Sequence, residues 1–219
     1  MGARHAALHD PAGARLKKLA LIREHQAELA ACTRCPDMHK PVVMGSPVES
    51  PVLLVGQAPG DKEPVLGRPF AWTAGKNLFK WMARCGVDEP TFRARVYMAA
   101  VCRCFPGKNP KGGDRVPTDE EVAACAPWLE RELELCRPQL LLLVGRLAIE
   151  RFIEPAPLVE QVGRVHTWRY KNRSIDLLPL PHPSGASTWY HTDPGKPLLD
   201  KALALLGKHP AWAQIRDAG

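Results

Sequence analysis

Three short, almost wholly apolar runs, at residues 51–55, 96–101 and 139–144, constrain this chain more than any other feature. Each is followed by a loop and then by a stretch of helical spacing. A strand that is apolar on both faces has to be covered on both faces, which means a mostly parallel sheet between layers of helices. The first run, Pro51-Val-Leu-Leu-Val55, stops at Gly56, and the third stops at Gly145. Residues 165–170 and 174–180 read as two further extended segments joined by Lys171-Asn172. Helical spacing is predicted over 13–31, 74–85 and 196–206, with a short helix from Gly145 to near Phe152. Thr118-Asp-Glu-Glu121 is a capping-box pattern and opens a helix that runs to about Cys136. The expected fold class is α/β, three layers around a central, mostly parallel four-stranded sheet. One domain is expected over residues 1–219, with 1–12 as a loose leader. Sheets of this kind bind ligands beyond the carboxyl ends of their strands. The loops 56–73, 102–117 and 181–195 all follow strands, so they are expected to converge on one site.

Composition narrows the function classes. The chain has 219 residues, 45% hydrophobic and 24% charged, which excludes disorder, collagen and coiled coil as whole-chain readings. No apolar run approaches the ~18 residues of a membrane span. Residues 1–19 lack the apolar segment of a secretory signal. Thirty Lys and Arg against 23 Asp and Glu leave +7, which favours a polyanionic partner, nucleic acid first. Seven cysteines in a chain without a signal point to a metal or cluster rather than to a disulfide framework.

Four constellations carry chemistry. Cys32-Thr-Arg-Cys35 can grip one corner of a metal site, and Cys104 with Cys125 is the best second pair; four thiolates suit a [4Fe–4S] cluster or zinc. Cys85 and Cys136 fall on helices and read as core. Cys102, two residues from Cys104, faces the opposite way if the strand continues. Gly56-Gln-Ala-Pro-Gly60-Asp61-Lys-Glu63 is a turn at a strand end with two acids, either of which could deprotonate a water. Gly67-Arg-Pro-Phe70 follows, and Phe70 either stacks on a base or fills the core. Pro181-His182-Pro183-Ser184 holds a histidine stiffly at a strand end, where it can donate to developing negative charge. Arg103, Lys108, Lys111 and Arg115 put basic charge beside the site, suited to phosphate contact.

Taken together and in order, Cys32-x2-Cys35, Gly56-Gln-Ala-Pro-Gly60, Gly67-Arg-Pro-Phe70, Ala74-Gly75, Cys104 with Cys125, Leu143-Val-Gly145 and His182-Pro-Ser184 resemble the uracil-DNA glycosylase superfamily. The likeness covers residues 28–206 and is greatest to the iron–sulfur branch, families four and five. It implies a [4Fe–4S] cluster on Cys32, Cys35, Cys104 and Cys125. It implies Glu63 as the water-activating acid, with Asp61 beside it, and His182 as the group that stabilises the departing base. Phe70 matches the aromatic that stacks on the flipped base, Asn109 matches an Asn of the loop after the third cysteine, and Ser184 lies in a DNA-contacting loop. Gln57, Ala58 and Ala100 fall at the base pocket. The likeness further implies a monomer acting on DNA in a bacterial cytoplasm, with no membrane partner.

Three departures from the family pattern matter. Gln57 stands where family four has an acid. Ala100 stands where family four has the Asn that reads the uracil edge; alanine offers neither donor nor acceptor. A wider range of bases is therefore expected, including xanthine or hypoxanthine. The loop between Cys104 and Cys125 is longer than in family four and resembles that of a relative that captures uracil-DNA covalently through a loop histidine, but residues 105–124 hold no histidine. The expected activity is monofunctional hydrolysis of an N-glycosidic bond, initiating base excision repair. The rival readings are a non-catalytic binder of uracil or abasic DNA and a zinc- or cluster-stabilised nucleic-acid-binding protein without a base pocket.

Overall fold

The computed structural model describes residues 10–185 and 187–217. Among these, five strands form one sheet: β1 (Val52–Gly56), β2 (Tyr97–Ala100), β3 (Leu140–Val144), β4 (His166–Tyr170) and β5 (Arg173–Leu180), in the order β2-β1-β3-β5-β4. β1 pairs in parallel with β2 and β3, and β3 with β5; β4 alone is antiparallel. The expectation of four strands is thus corrected to five. All five extended segments read from the sequence join the one sheet; the edge strand β4 is folded back on β5 through a turn in which Lys171 takes a left-handed conformation (φ 52°). Pairing on one side only and alternating half-exposure leave β4 without the continuous apolar run that marks the central strands.

Alternate residues of each central run point to opposite faces, and each face has its own helices. Val52, Leu54, Leu140, Leu142 and Leu178 pack against α3 (Thr73–Arg84), α4 (Glu89–Arg95), α8 (Gly195–Lys208) and α9 (Pro210–Arg216). Leu53, Val55, Leu141, Leu143 and Leu177 pack against α1 (Pro11–Ala30), α5 (Asp119–Cys136) and α6 (Arg146–Glu150). Two short helices, α2 (Glu63–Leu66) and α7 (Leu158–Gln161), lie in the connections. Cys85 and Cys136 are buried in these two cores, as expected. No helix among the described residues is long and apolar enough to cross a membrane.

Local chemistry explains the helix ends. The Asp10 carboxylate accepts from the amides of Ala12 and Gly13, both at 3.1 Å, and Pro11 opens the helix. α1 therefore begins at Pro11, two residues earlier than the periodicity suggests, which shortens the expected leader; residues 1–9 lie outside the described residues. The capping box forms as read: Thr118 Oγ accepts from the Glu121 amide at 3.3 Å, and Glu121 accepts from the Thr118 amide at 2.8 Å. α4 and α9 have no counterpart in the periodicity reading, and the expected helix 196–206 is α8, two residues longer at its end. From β1 the chain first winds to β2 on one side and then to β3 on the other. The strand order reverses at β1, and the crevice expected at such a switch point opens beyond its carboxyl end.

Candidate active site

Segments following β1, β2 and β5 converge beyond their strand ends on a cleft of about 540 Å³. Gly56–Glu63, Pro69, Phe70, Trp72–Ala74, residues of the 106–115 loop, His182 and Ser184 form its walls, and Ala99 and Ala100 line it at the end of β2. The structure thus brings together Gln57, Ala58, Asp61, Glu63, Phe70, Ala100, Lys108, Arg115, His182 and Ser184. Asn109 and Lys111 do not line the cleft; both are exposed, and the Asn109 side-chain oxygen accepts from the Lys111 amide at 3.0 Å.

The two acids occupy different environments. Asp61 sits near the rim, within 3.1 Å of Lys108 and 3.4 Å of Lys62. Partial burial works to raise its pKa, but the bonds from the two lysines outweigh it and hold the carboxyl below its ordinary range. Glu63 begins α2 and is only 9% exposed. Burial pushes its pKa up to about 7, against the opposing pull of the Gly60, Phe70 and Ala71 amides and of the more distant Arg93 charge. The Gly60 amide donates to Oε2 at 3.3 Å. One acid is thus a fixed anion, and the other is poised to exchange a proton near neutrality.

His182 is set by its neighbours. The Ser184 amide donates to Nδ1 at 3.3 Å, so Nδ1 is an acceptor and the neutral ring carries its proton on Nε2. Burial lowers its pKa, with the Asp114 charge opposing. The surrounding loop is clamped from α3: Asn77 donates to the Pro183 carbonyl at 3.0 Å and to the Tyr190 hydroxyl at 3.1 Å, and Tyr190 donates to the Ser184 carbonyl at 3.1 Å. Asn77 and Tyr190 carry no sequence signal, because the clamp joins positions far apart in the chain. Gly145 takes φ 91°, and a Cβ there would lie 3.0 Å from the His182 ring.

Phe70 also depends on glycine. Its backbone is left-handed (φ 52°), and its ring edge would lie 3.3 Å from a Cβ at Gly56. Its carbonyl oxygen occupies the space that a Cβ at Gly75 would need, 1.8 Å away. The glycines of the two motifs therefore make room for this aromatic turn.

The basic residues divide. Lys108 lines the cleft, bridging Asp61 and Asp114, the latter at 2.7 Å. Arg115 lines it too, with its guanidinium paired to Glu121 through both terminal nitrogens. The expectation that Arg103 contacts DNA is corrected: its side chain is 2% exposed and ion-paired with Glu132, which also accepts from Tyr97 at 2.9 Å. A charge 29 positions away in the chain neutralises it inside the protein, out of reach of a phosphate.

Residues 43–207 match the family model described as the uracil DNA glycosylase superfamily. The chain belongs to this superfamily. Among similar proteins are enzymes named type-4 uracil-DNA glycosylase from Archaeoglobus fulgidus, 30% identical over 72% of this chain and 78% of the relative, and from Sulfurisphaera tokodaii, 29% identical over 62% and 60%. A type-5 uracil-DNA glycosylase from Thermus thermophilus is 34% identical over 54% of this chain and 56% of its own length. The match with the Sulfurisphaera relative thus spans less than two thirds of that protein.

In this superfamily member the cysteines of three segments meet on the α5 side of the sheet. Burial raises the Cys35 thiol, and the neighbouring Cys125 and Cys32 raise it further. Burial pushes Cys104 up to about 11, with Cys125, Cys35 and Cys32 adding to the rise. Cys32, Cys35, Cys104 and Cys125 thus lie within electrostatic reach of one another. Among the described residues no group of three or more His, Cys, Asp or Glu is arranged to hold a metal ion. Four cysteine sulfurs are a donor set that suits an iron–sulfur cluster or a zinc ion. β2 ends at Ala100, so Cys102 does not turn away as a continuing strand would require; it neighbours Cys125, which raises its thiol pKa, and so adds a fifth sulfur to the group. The same segment is stitched to its surroundings. The Cys102 amide donates to the Gln57 carbonyl at 3.1 Å and Val101 to Gly56 at 2.9 Å, while Arg103 and Phe105 pair with Val43 and His39.

Proposed function

We propose that this protein is a monofunctional uracil-DNA glycosylase that hydrolyses the N-glycosidic bond of uracil in DNA and so initiates base excision repair. The observation that carries the reading is the pairing, in one cleft, of a buried carboxyl with a pKa of about 7 and a neutral histidine presenting Nε2–H. The relatives named as type-4 uracil-DNA glycosylases support it. The target nucleotide must leave the stack, at a cost of a few kcal/mol, and its base would lie on Phe70. His182 Nε2–H donates to uracil O2 as the C1′–N1 bond breaks and its electron pair passes to N1. Water then bonds to C1′ and gives its proton to Glu63. Asp61, held ionised by two lysines, is the poorer base. Lys62 and Lys108 are both in ion pairs, which disfavours a Schiff-base lyase step.

Ala100 gives the cleft no side chain able to read the base edge, so the substrate range extends to other deaminated bases such as xanthine or hypoxanthine, with Gln57, Ala58 and backbone groups as the remaining contacts. Lys108 and Ser184 at the cleft and Lys111 and Asn109 on the exposed loop would meet DNA, with Arg115 orienting that loop through Glu121. Cys32, Cys35, Cys104 and Cys125 would hold a [4Fe–4S] cluster, whose contribution when bound is to fasten the loops they belong to. Cys32→Ala should lose the visible absorption of such a cluster; a variant that keeps it removes Cys32 from the ligand set.

Single-turnover cleavage of labelled oligonucleotides containing uracil, xanthine, hypoxanthine or normal bases, developed with alkali, tests the activity. Cleavage at uracil is expected. A retained gel shift on uracil-DNA without cleavage would replace the enzyme by a damage-binding protein.

A further inference from the structure

We infer that Arg93, on α4, is a positioning residue for the Glu63 carboxylate, acting by gripping the backs of the two peptide units whose amides face it. The inference rests on the reading of Glu63 as the water-activating base. Arg93 Nη1 donates to the Pro69 carbonyl at 2.9 Å and Nη2 to the Phe70 carbonyl at 3.0 Å. Each of these carbonyls shares a planar trans peptide with the next amide, that of Phe70 or Ala71, and in such a unit C=O and N–H point in opposite directions. Holding the oxygens on the α4 side therefore aims both N–H groups away from Arg93, and it is these two amides that act on the Glu63 carboxylate. The left-handed Phe70 between them is what turns successive amides to one side, the arrangement of a backbone anion nest.

The guanidinium is itself locked. Nε donates to Glu89 at 2.8 Å, and the plane lies over the Phe79 ring, 4.6 Å from its centre. This planar fork reaches two carbonyls at once; a lysine at the same position would reach one. Without the grip the segment from Pro69 to Ala71 would be free to rotate its amides off the carboxylate, and burial would then act on Glu63 with less opposition.

The test reads Glu63 directly, by carbon-13 titration of side-chain carboxyls in the full-length protein, with Glu63→Gln identifying the resonance. Arg93→Met is expected to move the Glu63 midpoint upward by about one pH unit. Arg93→Lys should recover less than half of that shift, because it restores the charge without the fork. The other charged groups around the cleft, Asp61, Lys62, Lys108, Asp114, Arg115 and His182, are the same in every variant. Arg95→Met is the control: Arg95 donates to the Ile215 carbonyl at 3.0 Å, so its loss removes a comparable bond away from the cleft. A Met variant with the midpoint unmoved makes Arg93 merely structural, and full recovery by Lys makes it a distant charge; either overturns the inference. The reading of Glu63 as base fails separately, if the acid limb of the uracil-excision profile survives Glu63→Gln.

Discussion

Glu63 makes the protein's stability depend on pH in a direction opposite to that of most carboxylates. In the unfolded chain it ionises at its ordinary value of 4.5, and in the folded chain at about 7. Between these values the folded state binds the extra proton, so stability is highest below the unfolded value and falls as pH rises through the folded one. At about 1.36 kcal/mol per unit the full loss is about 3 kcal/mol, most of which falls between pH 5 and pH 8. Glu63→Gln cannot ionise and should escape this loss. Urea unfolding of both proteins at pH 5 and pH 8 isolates the effect, because every other titrating group is common to the two. The wild type should lose about 2–3 kcal/mol more than the variant over that interval. Excision by the wild type should meanwhile rise with pH through about 7, where the carboxylate becomes available as a base. Equal pH dependence of unfolding in the two proteins would refute the claim that burial governs this group.

Other expectations are more local. His182→Ala should lower single-turnover excision of uracil by about two orders of magnitude, as for loss of one preorganised donor, while a gel shift on uracil-DNA persists; an unchanged rate would remove His182 from the reaction. Ala100→Asn should narrow cleavage toward uracil in a panel of deaminated bases, and an unchanged panel would leave Ala100 without influence on the range. Gly75→Ala would press a methyl group into the Phe70 carbonyl and should cost at least about 2 kcal/mol in urea unfolding, more than a solvent-facing alanine in the same helix.

The central sheet was legible because parallel strands buried on both faces leave continuous apolar runs, and Val52 to Val55 and Leu140 to Val144 are such runs. The α5 start was legible because a capping box is a matter of four consecutive residues. α4 could have been found by the same logic, since Asp88 caps it through the Thr91 amide at 2.9 Å and Pro90 follows. The motif residues around the cleft were readable as a set, but their division of labour was not. Asp61 and Glu63 are two positions apart, and only burial and the partners Lys62 and Lys108 tell them apart. Arg103 read as a surface charge because its partner Glu132 lies on another element, and nothing in the sequence links them. Asn77, Tyr190 and Arg93 escaped notice for the same reason: each acts on a backbone carbonyl brought close only by folding.

The segment just past β2 has neighbours on both sides: the turn at Gln57 on one, the stretch that follows the first cysteine pair on the other. It behaves as a seam. Its stitches are backbone hydrogen bonds, and Cys102 and Cys104 belong to it, so a displacement of these cysteines pulls at them directly. A shift of this segment would thus be felt at the Gln57 turn, in the wall of the cleft, and amide exchange at Val101 and Cys102 would register it.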